Sequence, residues 1–337
     1  MDPSVLGTLP LPRPFGQLVE PVAGLRNLGH VPTTEELILE LSAHPVDVLC
    51  PQMADRIDER VLSAAAPRLR AVCVYAAGFD NIDLEAAGRR NVIVGNTAGA
   101  LTDATADCAM GLMLAAGRRL CEGDAEMRRG AFAGWAPDHL LGVDLSHGLL
   151  GIIGFGRIGQ AVARRALGFS MRVVYAQREG VVVAEDLRDR VSAVPLESLL
   201  EEADVLSLHV PLTSATRHLL DEPALRRMKP TSILVNTSRG AVVDEPVLVR
   251  ALREGWIAGA GLDVYENEPR LAPGLAECRN AVLAPHVGSA TPRTRSAMAE
   301  LCAGNTIDAL AGRPPRSCVN PAAWSVPPPP LIPTTSG

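Results

Sequence analysis

The chain has 337 residues, 47% hydrophobic and 21% charged, which is too long for one ordinary core and suits two domains. A net charge of −6 with a pI near 5.7 excludes a broad nucleic-acid surface, and no apolar run approaches the roughly 20 residues that cross a bilayer. The seven cysteines are odd in number, widely spaced and free of any CxxC pair, and MDPSVLGTLPLPRPFG lacks the basic-then-apolar order of a signal peptide; both point to reduced thiols in a cytoplasmic protein without a metal site.

With aromatic residues at 3%, the core must be built from Ala, Val, Leu and Ile, which suits parallel strands covered by helices. Along the first hundred residues, residues 34–42 read as a helix capped by Thr33 or Thr34. Residues 46–50, 69–75 and 92–94 read as strands, with a helix over 58–65. Pro10, Pro12, Pro14 and Gly16 interrupt whatever precedes them. A long Ala- and Leu-rich helix is predicted over 102–118.

A second and stronger alternation starts at Gly148. Strands are expected at 149–155, 172–176, 205–209, 233–236, 260–264 and 282–284. Helices are expected at 160–167, 223–228 and 244–254, the last capped by Asp244. A final helix over 292–311 is closed by Gly312 and Pro314, and the tail with its run Pro327 to Pro330 reads as a disordered or extended appendage. The expected class is therefore α/β, with two doubly wound parallel sheets. A substrate domain spans 1–98 and 287–320, a dinucleotide-binding domain 99–286, and a Pro-rich tail 321–337. The two crossover helices let the chain leave the small domain, build the large one and return, which implies a cleft with a hinge.

Gly154, Gly156 and Gly159, with Arg157 and Ile158 between them, form GxGxxG at the end of a strand and the start of a helix. In that context the pattern is a Rossmann-type dinucleotide turn. Gly154 permits the tight turn, Gly156 lets the backbone approach a pyrophosphate, and Gly159 lets helix and strand pack closely. The helix N-terminus offers free N–H groups to the anion. The alternative is a glycine-rich turn that binds nothing. At the end of the next strand, where an acid binds the ribose of NAD, the chain has Gln177 followed by Arg178. A guanidinium in place of an anion favours a 2′-phosphate, so NADP(H) is the expected cofactor and NAD(H) the alternative; Glu179 argues the other way.

Arg239, Glu268 and His286 each follow a predicted strand, and ligands of open α/β sheets bind beyond the carboxyl ends of strands. Reducing a 2-oxo acid needs a hydride at C2, a proton at O2 and a cation for the carboxylate. His286 can give the proton, Glu268 can hold the ring and favour its protonated form, and Arg239 can bind the carboxylate and polarise the carbonyl. Each could instead be a structural polar residue; three at successive strand ends make that coincidence harder to sustain.

LTDATAD, GIIGFGRIGQAVARRA, LHVPLT, NTSRGAVVDE, GLDVYENEP and APHVGSAT together resemble the D-isomer-specific 2-hydroxyacid dehydrogenase family, from about Leu37 to Pro314, with the glyoxylate/hydroxypyruvate reductase branch the most similar. The resemblance implies a Rossmann-type cofactor domain beside a smaller flavodoxin-like substrate domain. It assigns Arg239, Glu268 and His286 as catalytic, and backbone groups of Ala77 and Gly78 as carboxylate ligands. Thr105, Val210, Thr237, Asp263, His286 and Gly288 join the glycine turn as cofactor contacts. It also implies a homodimer, with the segment around Trp135 packing on the partner. Phosphite dehydrogenase is a near relative but has Lys where this chain has Ala77; formate dehydrogenase has Gln where Glu268 stands; longer phosphoglycerate dehydrogenases carry a regulatory domain for which no sequence remains. A dinucleotide-sensing corepressor of the same fold is the alternative from another class, disfavoured by the lack of a basic face.

Overall fold

The structure is a computed structural model and describes residues 2–177, 180–324 and 327–333. The chain divides into two units, Met1–Leu101 with Ala290–Gly337, and Thr102–Ser289. In chain order the first contains β1 (Ser4–Gly7), α1 (Phe15–Val19), β2 (Gly24–Asn27), α2 (Thr34–Ala43), β3 (Val48–Cys50), α3 (Glu59–Ala65), β4 (Ala71–Cys73), α4 (Leu84–Arg89) and β5 (Ile93–Gly95). The second contains α5 (Thr102–Gly117), α6 (Leu120–Arg128), β6 (Leu149–Ile153), α7 (Arg157–Gly168), β7 (Arg172–Ala176), β8 (Val191–Ala193), α8 (Leu196–Glu202), β9 (Val205–Leu208), α9 (Glu222–Arg227), β10 (Ile233–Asn236), α10 (Glu245–Glu254), β11 (Gly259–Leu262) and β12 (Ala281–Leu283). The chain then returns to the first unit in α11 (Pro292–Leu310).

The first unit holds a five-stranded parallel sheet in the order β2-β1-β3-β4-β5, the flavodoxin-like order. Its helices start where the sequence offers caps. Thr33 accepts from the Glu36 amide while the Glu36 side chain accepts from the Thr33 amide, and Asp58 and Asp83 cap α3 and α4. Leu6, Leu49, Val72 and Val94 from four strands meet Leu37, Leu41 and Leu62 from the helices in one core. Pro10 to Pro14 fall in the connection between β1 and α1. They delay the first helix and leave a four-residue strand ahead of them, too short for a readable apolar run.

The second unit holds seven parallel strands in the order β12-β11-β10-β9-β6-β7-β8. The direction of winding reverses between β6 and β9, so their carboxyl ends frame the crevice where dinucleotides bind in such sheets. Strand residues alternate between two cores. Ile152, Val205, Ile233 and Val235 face the side of Met113 and Val162, while Ile153, Leu206, Leu208 and Leu234 face Leu225, Leu248 and Leu252. Burial on both faces explains the continuous apolar runs. Helix α5 lies close against β11 because Gly261 has no side chain: a Cβ there would stand 2.9 Å from that of Leu112.

The tail departs from the expected appendage. Over its described residues it is packed on the first unit. Val319 donates to the Val94 carbonyl, and the Asn320 amide group accepts from the Val94 N–H and donates to the Val92 carbonyl, closing the free edge of β5. The Trp324 indole N–H donates to the Asn91 carbonyl, Arg70 donates to the Pro329 carbonyl and Leu331 to the Leu310 carbonyl. Prolines bring no N–H that needs a partner, so such a run can lie on a surface through carbonyls and apolar anchors. Trp324 is 6% exposed. Trp324→Ala is expected to destabilise the first unit by about 3 kcal/mol, measured as a lowered urea midpoint, while dinucleotide affinity stays unchanged.

Candidate active site

At the end of β6 the chain turns at Gly154, with φ of +92°, and a Cβ there would approach the His209 carbonyl oxygen to 2.6 Å. Gly159 faces the Gly154 carbonyl so closely that a side chain cannot fit. A Cβ on Gly156 meets nothing within 4 Å, and Gly156 caps α7 without any side-chain hydrogen bond. The first turn of α7, with Arg157 exposed and Ile158 half-buried, thus presents backbone to open space. The buried Gln160 fastens this turn to the segment after β7. Its amide nitrogen donates to the Phe155 and Val182 carbonyls and its oxygen accepts from Ala184. Gln177 is exposed at the end of β7; Arg178 and Glu179 lie outside the described residues.

The remaining expected cofactor residues of this unit gather along the same strand ends. Val210 follows β9 and touches the space above Gly154. Thr237 follows β10, and its hydroxyl oxygen is buried with no hydrogen-bond partner, a polar atom left for a ligand. Thr105 on α5 stands beside Gly288 and Asp263. These features fit a dinucleotide: an uncovered helix N-terminus, a glycine cradle and an orphaned hydroxyl.

Asp263, 1% exposed, has a second job that residue type alone does not reveal. Its two carboxylate oxygens accept from the Val287 and Gly288 amides, each at 2.7 Å, immediately after His286. Burial pushes its carboxyl up, and those two hydrogen bonds oppose the rise. His286 itself sits at φ +54°, a left-handed conformation unusual for a non-glycine residue.

His286 Nδ1 lies 2.8 Å from Glu268 Oε2, and Glu268 Oε1 accepts from the Tyr265 amide at 3.0 Å. Burial works to raise the Glu268 carboxyl. The His286 and Tyr265 hydrogen bonds and the nearby charges of His286 and Arg239 outweigh it, so it is held below the usual carboxylate range. Arg239 is half-buried on the turn after β10, where Asn236 holds the backbone: its amide nitrogen donates to the Arg239 carbonyl and its oxygen accepts from Ser238. Arg239, Glu268 and His286 therefore form one charge-coupled group at the carboxyl ends of β10, β11 and β12. The His286–Glu268 contact engages Nδ1 of the ring and not Nε2. Burial pushes His209 down to about 4. Ala77 and Gly78 follow β4 in the first unit, where the Asn96 side chain donates to the Ala77 carbonyl at 2.7 Å. Among the described residues no group of three or more His, Cys, Asp or Glu could hold a metal, and no helix is long and apolar enough to cross a membrane.

Residues 110–288 match the family model of the D-isomer specific 2-hydroxyacid dehydrogenase NAD binding domain. The chain belongs to the D-isomer-specific 2-hydroxyacid dehydrogenase family. The glyoxylate reductase of Thermococcus litoralis is 49% identical to it over 288 residues, covering 84% of this chain and 86% of the relative. The crystal structure of a glyoxylate reductase from Paecilomyes thermophila superimposes with a TM-score of 0.86 at 32% identity, covering 94% of this chain and 98% of that one. An NADPH-dependent glyoxylate/hydroxypyruvate reductase from Sinorhizobium meliloti, in complex with NADP and malonate, gives 0.83 at 29% identity, covering 95% and 97%. The protein is accordingly a nicotinamide-dinucleotide-dependent oxidoreductase of 2-oxo and 2-hydroxy acids. Gly154→Ala, which adds a side chain at a positive φ and against the His209 carbonyl, is expected to weaken dinucleotide binding at least about tenfold in a fluorescence titration.

Proposed function

We propose that the protein reduces a small 2-oxo acid of the glyoxylate or hydroxypyruvate kind to the D-2-hydroxy acid, with NADPH preferred over NADH. The observation that carries this reading is the His286–Glu268 hydrogen bond of 2.8 Å beside Arg239. A reduced nicotinamide supplies the hydride to C2. His286 Nε2 gives its proton to the carbonyl oxygen. Glu268 takes the Nδ1 proton as a hydrogen bond, fixes the ring plane and favours the imidazolium. Arg239 pairs with the substrate carboxylate and draws charge from the carbonyl. In the first unit, backbone N–H groups of Ala77 and Gly78 are proposed as ligands for a carboxylate.

The glycine turn is assigned to the pyrophosphate, and Thr105, Thr237, Val210, Asp263, His286 and Gly288 to the remainder of the cofactor. Gln177 in place of an acid supports the NADPH preference, as does the name of the Sinorhizobium meliloti relative. The proposed assembly is a homodimer formed through α6 and the segment after it, where Met127, Phe132, Trp135 and Leu141 are exposed, Trp135 by 85%. The cysteine pattern supports a reducing, cytoplasmic setting.

The reading is tested by following absorbance at 340 nm with glyoxylate, hydroxypyruvate and other 2-oxo acids. Turnover is expected, with kcat/KM higher for NADPH than for NADH; no turnover with any of them would leave the dinucleotide-sensing alternative. His286→Ala is expected to lower kcat at least about 100-fold with NADPH affinity retained. Glu268 is held below the usual carboxylate range and is charged at neutral pH; Glu268→Gln removes that charge from beside the ring, and the descending limb of the kcat pH profile is expected to move from its wild-type position.

A further inference from the structure

The loop that carries Glu268 begins after β11 and folds on itself at a bridge between Asn267 and Arg270. Its near end rests on Gly240: a Cβ at that position would overlap the carbonyl of Tyr265. The Tyr265 hydroxyl donates to the Ala284 and Leu262 carbonyls, tying the loop to the ends of β11 and β12. The Glu266 side chain pairs with His218 at 2.7 Å and with Arg217 at 3.4 Å, and a further tie from another element holds the loop backbone itself. Glu245, the first residue of α10, is 3% exposed. Its Oε2 accepts from the Glu266 amide at 3.0 Å, and its Oε1 accepts from the Ala272 amide at 3.4 Å. A single buried carboxylate therefore fastens the loop on both sides of Glu268.

Helix α10 has no need of this carboxylate for itself. Asp244 already caps it by accepting from the Val247 amide, and Pro246 needs no acceptor. Glu245 is turned away from that duty toward the loop, and it is buried near two further acids, Glu266 and Glu268. A negative group in such company is unfavourable unless donors hold it there. The two loop amides are those donors.

We propose that Glu245 is a positioning residue for the proton donor: by clamping residues 266 and 272 it fixes the Glu268 carboxylate at hydrogen-bond distance from His286. This rests on the reading of His286 as the acid. Glutamine at 245 keeps the size but offers one acceptor oxygen, and its amide group meets the second loop N–H donor to donor. The loop backbone then keeps one of its two ties to α10, and Glu268 is held less firmly against the His286 ring.

The test compares Glu245→Gln, Glu245→Asp and the double variant Glu245→Gln/His286→Ala with wild type and His286→Ala, using the full chain. Glu245→Gln is expected to lower kcat about 10- to 100-fold and to move the descending pH limb toward that of Glu268→Gln, with NADPH Kd within about twofold of wild type. Glu245→Asp keeps the charge on a shorter arm, and a limb closer to wild type is expected. In the double variant the Gln substitution should add no further loss, since the residue acts only through His286. A Glu245→Gln enzyme with a lowered melting temperature but wild-type kcat and limb would overturn the proposal, because a purely structural residue behaves so. Should His286→Ala itself turn over at the wild-type rate, the acid assignment fails instead, independently of Glu245. If Glu245→Gln does not fold, the Asp variant decides: its kcat must fall below wild type, and an unchanged kcat overturns the clamp.

Discussion

A parallel sheet ends in backbone amides that have lost their neighbours, and Arg239, Glu268 and His286 each stand on the turn or loop that follows such an end. Within the strands the backbone pairs across the ladder, and that pairing runs one residue further, from the Asp263 N–H to the Asn236 carbonyl and from the Ala284 N–H to the Leu262 carbonyl. Beyond it the turn must find acceptors or leave polar groups buried and unpaired. Here side chains supply them. Asn236 folds the turn of Arg239, Asp263 takes the two amides that follow His286, and Glu245 takes two amides that flank Glu268. The same contacts that satisfy the backbone also aim the chemistry.

Three carboxylates within this group meet different fates. Asp263 and Glu245 are nearly inaccessible, and burial pushes each of their carboxyls up despite two amide donors apiece. Glu268 is about one-third exposed at its side chain and has an imidazole and a guanidinium nearby, so its carboxyl is held down. Glu268 lies five positions after Asp263 in sequence, and their surroundings set the opposite directions. The two buried acids accept from backbone amides, and the half-exposed one faces the His286 ring. The proposed mechanism uses that division: the buried pair fixes backbone, and Glu268 partners the ring.

Much of this was legible in the chain before any coordinates. Strands buried on both faces write themselves as apolar runs, so β6, β7, β9 and β10 could be read directly, and the glycine pattern gained its meaning from the strand before it and the helix after it. The residues at strand ends could be placed because topology puts all carboxyl ends on one edge. Short elements were less readable. β2 is exposed at three of its four residues, and β8 has one buried position before two exposed ones, so neither gives an apolar run, and β1 is followed at once by the Pro-rich connection. The tail was misjudged because proline-rich composition describes backbone stiffness and says nothing of the carbonyls and the Trp324 ring that hold it down. Glu245 escaped notice for a similar reason. An acid in the first turn of a helix is ordinary dipole complementarity, and only its direction, toward the Glu268 loop, distinguishes it.

The left-handed backbone of His286 completes this logic. A histidine at φ +54° costs of order 1–3 kcal/mol relative to an extended or helical one, and glycine would remove that cost. Strain of this kind persists only where surrounding contacts over-determine it. Asp263 provides them on the C-terminal side through the next two amides, and Glu268 provides them at the ring. Held at both points, the imidazole has little rotational freedom, and in the proposed mechanism less of the binding energy would go into orienting it. A strained residue, a buried carboxylate held by backbone amides and a half-exposed one held by the ring are thus parts of one arrangement, in which folding energy fixes the direction of a single side chain.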